Sequence, residues 1–422
     1  MFSDAFRALR SRNFRLFFFG QGVSMIGTWM QQVAMGWLVY RLTHSMMTLG
    51  VVGFVTRCPS FFVTPFTGVL VDRVDRYRAL LITQVLSLVQ ASILAGLVLS
   101  GHAQIWHLMV LGFGLGLINA FDVPIRQTFV IEMIDRREDL SNAIALNSTL
   151  NTAARLVGPV VAGGVIYALG EGWCFSLNAI SFIAVLASLL MMRLPQTRRV
   201  SAHSKGRKGF KEGLKASFGS LPIRSLLLLL ALSSLAGMPY QTLMPVFASD
   251  LLHGGPHTLG FLGGAVGLGS LCAALYLASR RTVLGLAWRV GAASVLFGAA
   301  LAGFAVSRSL WFSLPLLTVA GFGMMIQLTG CNTLVQTLVD DEHRGRVMSF
   351  HTMAFLGTVP FGNLLGGWLA DRLGPQNAVL LGGAVCCLSG IYFLLRLNVF
   401  RHHVRPIYQA KGILPAAEAS GA

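Results

Sequence analysis

Gly68-Val69-Leu70-Val71-Asp72-Arg73-Val74-Asp75-Arg76-Tyr77-Arg78 is the stretch on which the reading of this chain turns. An apolar run carrying a glycine ends in an acid and a cluster of arginines, and a second apolar run starts at once. Charge that dense between runs that apolar marks a short watery turn between two helices in hydrocarbon. The same alternation continues outward along nearly the whole chain. Apolar runs lie at 14–40, 48–71, 78–99, 103–125, 141–168, 172–193, 222–249, 257–279, 286–307, 310–334, 346–369 and 376–396. Each is long enough to cross a bilayer core at about 20 residues per helix. Charged residues make up 12% of the chain and hydrophobic ones 54%, with a mean hydropathy of +0.67. That charge is about half the usual fraction of a soluble domain. The runs are apolar nearly all round, whereas a soluble helix keeps a polar face. The chain therefore reads as an all-α membrane protein with twelve transmembrane helices.

Its net charge is +17, from 33 Lys and Arg against 16 Asp and Glu. The distribution excludes nucleic acid as the reason. With the N-terminus inside, only Arg41, Arg308 and Arg372 fall on the outer side, and Arg57 and Arg155 fall within helices. The rest lie on one face, which by the positive-inside rule is cytoplasmic, so both termini are expected there. A basic inner face also suits anionic membrane lipids. Arg7, Arg10 and Arg12 resemble the charged start of a signal peptide, but the run behind them is too long and is read as a retained first helix. The six cysteines sit in or beside apolar runs and show no metal-ligand spacing. No G-K-[S/T] phosphate loop and no clustered catalytic set are present, so the reading is not an enzyme, with no cofactor and no metal.

The most polar internal stretch, 194–221, divides six helices from six. The expected organisation is an N-terminal bundle at 1–193, a basic cytoplasmic linker at 194–221, a C-terminal bundle at 222–397 and a disordered cytoplasmic tail at 398–422. The two bundles repeat one another. Asp135 corresponds to Asp340, Gly163 to Gly367 and Gly170 to Gly374, within similar polar junctions. Repeated halves with a binding site between them at mid-membrane are what a rocking transporter requires.

Within this frame Gly68, Asp72, Arg73, Arg76 and Asp122 form an expected gating latch on the inner face. Gly68 allows close helix approach. Asp72 is placed to meet a helix N-terminus near Gly345, and the arginines to pair with Asp72, Asp75 or Asp122. Gly158, Pro159 and Gly163 place a bend in helix five, a natural pivot. Charges at bilayer depth are costly and point to a ligand or a partner. Arg57 and Arg155 are the two, with Asn147 and Asn151 on the face of Arg155 and with Gln31 and Gln327 as further polar groups at depth. With no acid at their level, the arginines fit an anionic or polyhydroxylated small molecule. The alternative is that they bond helix carbonyls or asparagines and lock the bundle.

The G-x-x-x-D-R-x-x-R-x-R loop resembles the signature of the major facilitator superfamily, with Asp75 in place of the usual glycine. Gly158-Pro159-x-x-x-Gly163-Gly164 resembles the helix-five element of its exporters. Asn119-x-x-Asp122-x-Pro124, Asn142 to Asn147, Asn151-x-x-x-Arg155 and Asn178-x-x-Ser181 narrow the likeness to the branch of the enterobactin exporter and macrolide efflux proteins, the transmembrane secretion effectors. This resemblance implies the major facilitator fold of two pseudo-symmetric six-helix bundles and a monomer in the bacterial cytoplasmic membrane. It also implies efflux of a siderophore-like or drug-like amphipathic molecule by alternating access, in exchange for protons. No deep acid marks a proton carrier; Asp122, His107 and His351 are the titratable candidates. Import or lysophospholipid transport by the same fold, and a non-transporting sensor or assembly partner, are the competing readings.

Overall fold

The computed structural model describes residues 6–71, 74–193, 217–280 and 282–415, with the side chains of 64–71, 341 and 342 set aside. Six helices form the first half: α1 (Arg12–Thr43), α2 (Met46–Val71), α3 (Arg76–Leu99), α4 (Ile105–Phe129), α5 (Leu140–Leu169) and α6 (Glu171–Leu190). The second half holds α7 (Leu221–Leu251), α8 (Pro256–Ala278), α9 (Leu286–Val306), α10 (Leu310–Leu338), α11 (341–373) and α12 (Pro375–Leu395). Among the described residues, 11 of these are long and apolar enough to cross a membrane. The remaining one, α1, has 32 residues but is diluted by Gln21, Ser24, Gln31 and Gln32. At about 1.5 Å per residue it still exceeds a hydrocarbon core of about 30 Å. Residues 194–216, most of the expected linker, and 416–422 lie outside the described residues. The tail departs from expectation: Leu397–Ala410 forms α13. Its apolar positions recur at helical spacing, and Leu397, Phe400, Val404 and Tyr408 are buried.

The packing repeats with a shift of six helices. In the first half α1 packs on α5 and α6, α3 on α4 and α6, and α2 on α4. In the second, α7 packs on α11 and α12, α9 on α10 and α12, and α8 on α10. Chain reversals repeat too. Gly170 and Gly374 each separate two helices as a single residue, at φ 88° and 86°. Only glycine takes that backbone without strain.

The halves meet chiefly where α5 packs on α8 and α2 on α11. A Cβ added at Gly163 would stand 2.9 Å from the Cα of Gly260, and one at Gly367 would stand 2.8 Å from the Cα of Gly50. Bare backbone therefore faces bare backbone at both crossings. Thr48-Leu49-Gly50-x-x-Gly53 on α2 and Thr258-Leu259-Gly260-x-x-Gly263 on α8 supply one glycine to each. All these residues lie near the face opposite the basic loops. There, too, Tyr40 of α1 donates a hydrogen bond to Asp250 of α7, and Tyr167 of α5 meets His257 of α8 edge to face at 5.3 Å. Nearer the basic face, α2 and α11 enclose a cavity of about 220 Å³ bordered by Ser60, Phe61, Met348 and Thr352.

Helix irregularity is found in α7 and α11. α5 runs unbroken through Pro159. Gly158 lies against Trp29 of α1, while Pro159 lies under Gly263 of α8. The wide turns are Ser233–Gly237 and Phe247–Leu251 in α7 and Met353–Gly357 in α11. Pro239 and Pro360 follow the first and the last of these closely. A proline takes away a backbone donor and crowds the carbonyl four residues back, so the helix widens just before it.

The glycine crossings generate one expected outcome. Gly260→Val places methyl groups where only backbone fits and opens the face opposite the basic loops. In a cysteine-free background, spin labels at His102→Cys and Arg308→Cys should gain a longer-distance population by pulsed electron resonance. An unchanged distance distribution would show that the crossing does not hold this face shut.

Candidate functional site

A membrane helix shows its polar groups either to a neighbouring helix or to a cavity. The structure sorts the sequence candidates along that line. Gln31 is buried inside the first half: Asn178 Nδ2 donates to its Oε1 at 2.6 Å, and its Nε2 donates to Gln90 Oε1 at 3.2 Å. Gln90 in turn donates to the Leu111 carbonyl at 3.4 Å. Gln327 is buried inside the second half, where Nε2 donates to Ser233 Oγ at 2.7 Å and also approaches Ser294 Oγ at 3.5 Å. Ser294 Oγ donates to the Cys386 carbonyl at 3.0 Å. Both amides make helix-to-helix bonds within their own half.

Arg57 and Arg155 differ. Arg57 lies on α2 and Arg155 on α5, within coulombic range of each other. The guanidinium of Arg155 stands 5.0 Å over the ring of Trp29 on α1. Tyr240 of α7, almost fully buried, lies within coulombic range of Arg155 and accepts a hydrogen bond from Gln241 at 3.3 Å. Elements of both halves thus surround this charge. Among the described residues neither arginine meets a carboxylate or a hydrogen-bond acceptor. Asn151, one turn before Arg155, is exposed, and Asn147 is half-buried. Two cations left without counter-charge at bilayer depth cost several kcal/mol each, in order of magnitude. Each guanidinium keeps its fork of donors uncommitted, and Arg155 has an aromatic ring beside it.

The loop residues are placed as follows. Asp72 and Arg73 lie outside the described residues, and Gly68 belongs to the final stretch of α2. Arg76 pairs with Glu132 at 2.7 Å. Asp75 caps α3 by accepting from the Arg78 backbone at 3.1 Å, and its other oxygen lies 3.5 Å from Arg78 Nε. Asp122 is buried and, among the described residues, does not take a loop arginine. Its Oδ1 accepts from Thr83 at 2.8 Å and Gln84 at 2.7 Å, and its Oδ2 lies 3.7 Å from Arg126. All these pairs stay within the first half. Glu132 is the partner that sequence reading missed. It sits on the turn Val130–Met133 after α4, and its only signal was an acid just beyond a helix that ends in Arg126.

Twelve long helices in two halves related by a shift of six, meeting on one face and holding charge between them, define a transporter of the major facilitator type. The chain matches the family described as transmembrane secretion effector over residues 3–408 and belongs to it. It is 25% identical over 399 residues to the staphyloferrin A transporter of Staphylococcus aureus, covering 90% of this chain and 96% of that one. It is likewise 25% identical over 386 residues to macrolide efflux protein A of Streptococcus pyogenes, covering 88% and 92%. The fold resembles a bacterial homologue of the human lysosomal transporter Spinster, crystallised inward-facing and unoccupied. There the TM-score is 0.70 at 14% identity, over 96% and 99% of the two chains. The chain is a multi-pass efflux or secretion transporter, and its relatives and fold are those of transporters, not enzymes.

The sorting of polar groups has a measurable consequence. Arg155→Ala should lower transport of an anionic substrate at least about tenfold, the loss of one charged hydrogen bond, while melting stays near that of the parent. Gln31→Ala should do the reverse, lowering the melting temperature with transport per folded molecule retained. Transport in proteoliposomes beside thermal unfolding checks both.

Proposed function

We propose that this protein exports a small amphipathic anion across the bacterial cytoplasmic membrane by alternating access between residues 1–193 and 222–397. The observation that carries the reading is the uncompensated pair Arg57 and Arg155 beside Trp29. The basic face, where Arg76 and Arg78 lie, is taken as cytoplasmic because cationic loops are retained there. On that assignment the glycine crossings close the outside, and the inner ends of the halves part to admit substrate. Asp72, Arg73 and the Arg76–Glu132 pair would close the inner face in the opposite state. Relatives named for staphyloferrin A transport and macrolide efflux are consistent with a siderophore-like or drug-like cargo.

Proton exchange is the energy source in this reading. Among the described residues, Asp122 is engaged by Arg126 and Glu171 by Arg41 at 2.8 Å. His351, buried on α11 just before its wide turn, carries a ring Nε2 with no hydrogen-bond partner. It is therefore the carrier this reading selects.

Inverted membrane vesicles test direction. Labelled anionic substrate should accumulate in them under an imposed pH gradient and leak out on adding a protonophore. Accumulation only in right-side-out vesicles would establish import. His351→Gln should preserve substrate counterflow and abolish acceleration by the gradient; full acceleration in that variant would place the carrier elsewhere.

A further inference from the structure

We propose that anionic phospholipid headgroups at the basic face are the counter-ions of the second half, with α13 as their docking helix. Each half pairs some of its cations on this face and leaves others exposed. In the first, Arg7, Arg76, Arg78 and Arg126 each meet a carboxylate, the Arg7–Asp139 pair at 2.9 Å. In the second, Lys411 reaches Asp340 at 3.8 Å. Arg224, Arg396, Arg401 and Arg405 are exposed and Arg289 is half-buried, donating to Tyr276 Oη at 3.0 Å; none of the five meets a carboxylate among the described residues.

The heights of these arginines select the partner. Arg224 and Arg289 are the fourth residues of α7 and α9, and Arg396 directly follows α12. They stand at the ends of spanning helices, where headgroups lie. α13 starts one residue later and is held firmly. Phe400 meets Phe393 at 5.4 Å, and Lys411 Nζ donates to the carbonyls of Thr337 and Val339 at 2.9 Å each. With Leu397, Phe400, Val404 and Tyr408 buried on the ends of neighbouring helices, the free flank carries Arg401, His402 and Arg405. A fixed amphipathic helix at the interface with an unpaired basic flank has the chemistry of an anionic-lipid site. A soluble acidic protein would be met by charges projecting from loops, not by a ring at helix ends.

The test uses the full chain in nanodiscs of phosphatidylcholine, with and without phosphatidylglycerol. Phosphatidylglycerol should raise the melting temperature of the parent. The triple variant Arg396→Gln, Arg401→Gln, Arg405→Gln should lose at least half of that rise while melting like the parent in phosphatidylcholine alone. The matching Arg→Lys triple should keep the rise, as should Arg7→Gln, whose native partner is Asp139. An equal rise in the parent and the glutamine triple would overturn the proposal. So would an equal stabilisation of the parent by soluble polyglutamate in pure phosphatidylcholine, which would assign the face to an acidic protein.

Discussion

Contact of glycine backbone with glycine backbone, made twice between the halves, is the constraint on which the architecture rests. Between membrane helices there is no hydrophobic drive to associate, because lipid tails are as apolar as leucine. What remains is close packing, and it is strongest where no side chain intervenes. Gly163 against Gly260 and Gly50 against Gly367 meet that condition at two crossings. At these two points no side chain stands between the halves, so they can part there without unthreading anything. A face that must open and close is well served by it.

Each half must then hold together by itself, and the polar networks explain how. Asn178, Gln31, Gln90 and the Leu111 carbonyl join α6, α1, α3 and α4. Ser233, Gln327, Ser294 and the Cys386 carbonyl join α7, α10, α9 and α12. Under the shift of six these are the same four helices. The helices left out, α2, α5, α8 and α11, are those that cross between halves. A buried amide in hydrocarbon has no water to fall back on, so a satisfied network resists shear. Four helices locked in each half, with two presented to the other half, is a division of labour suited to motion of whole bundles.

Most of the spans were legible in the sequence because hydrocarbon demands unbroken apolar length, and the sixfold repeat was legible because Gly170 and Gly374 serve an identical backbone need. The polar residues at depth were harder. Gln31 and Arg155 both interrupt apolar helices, and helical spacing alone does not tell a face turned to a neighbour from one turned to a cavity. The partner decides, and Asn178 lies 147 residues from Gln31. Pro159 was hard to read for a similar reason, since the residues alone do not say that α8 packs directly over it. α13 was hidden by its charge. Arg401, His402, His403 and Arg405 read as a solvated tail until Phe400, Val404 and Tyr408 are seen to share one stripe.

The state of Arg57 and Arg155 gains its meaning from the rest of the first half. There five carboxylates each pair with an arginine: Asp75 with Arg78, Asp122 with Arg126, Glu132 with Arg76, Asp139 with Arg7 and Glu171 with Arg41. Asp122 is bonded three times over at a buried position. A sequence that equips one carboxylate so fully would stabilise itself further by setting another beside Arg155. The aromatic face of Trp29 stands there instead, which steadies a cation without neutralising it. A permanent carboxylate would compete with every anion that entered. On the proposed export of an anion, leaving the charge unmatched would keep the empty site higher in energy than the filled one and so favour capture at mid-membrane.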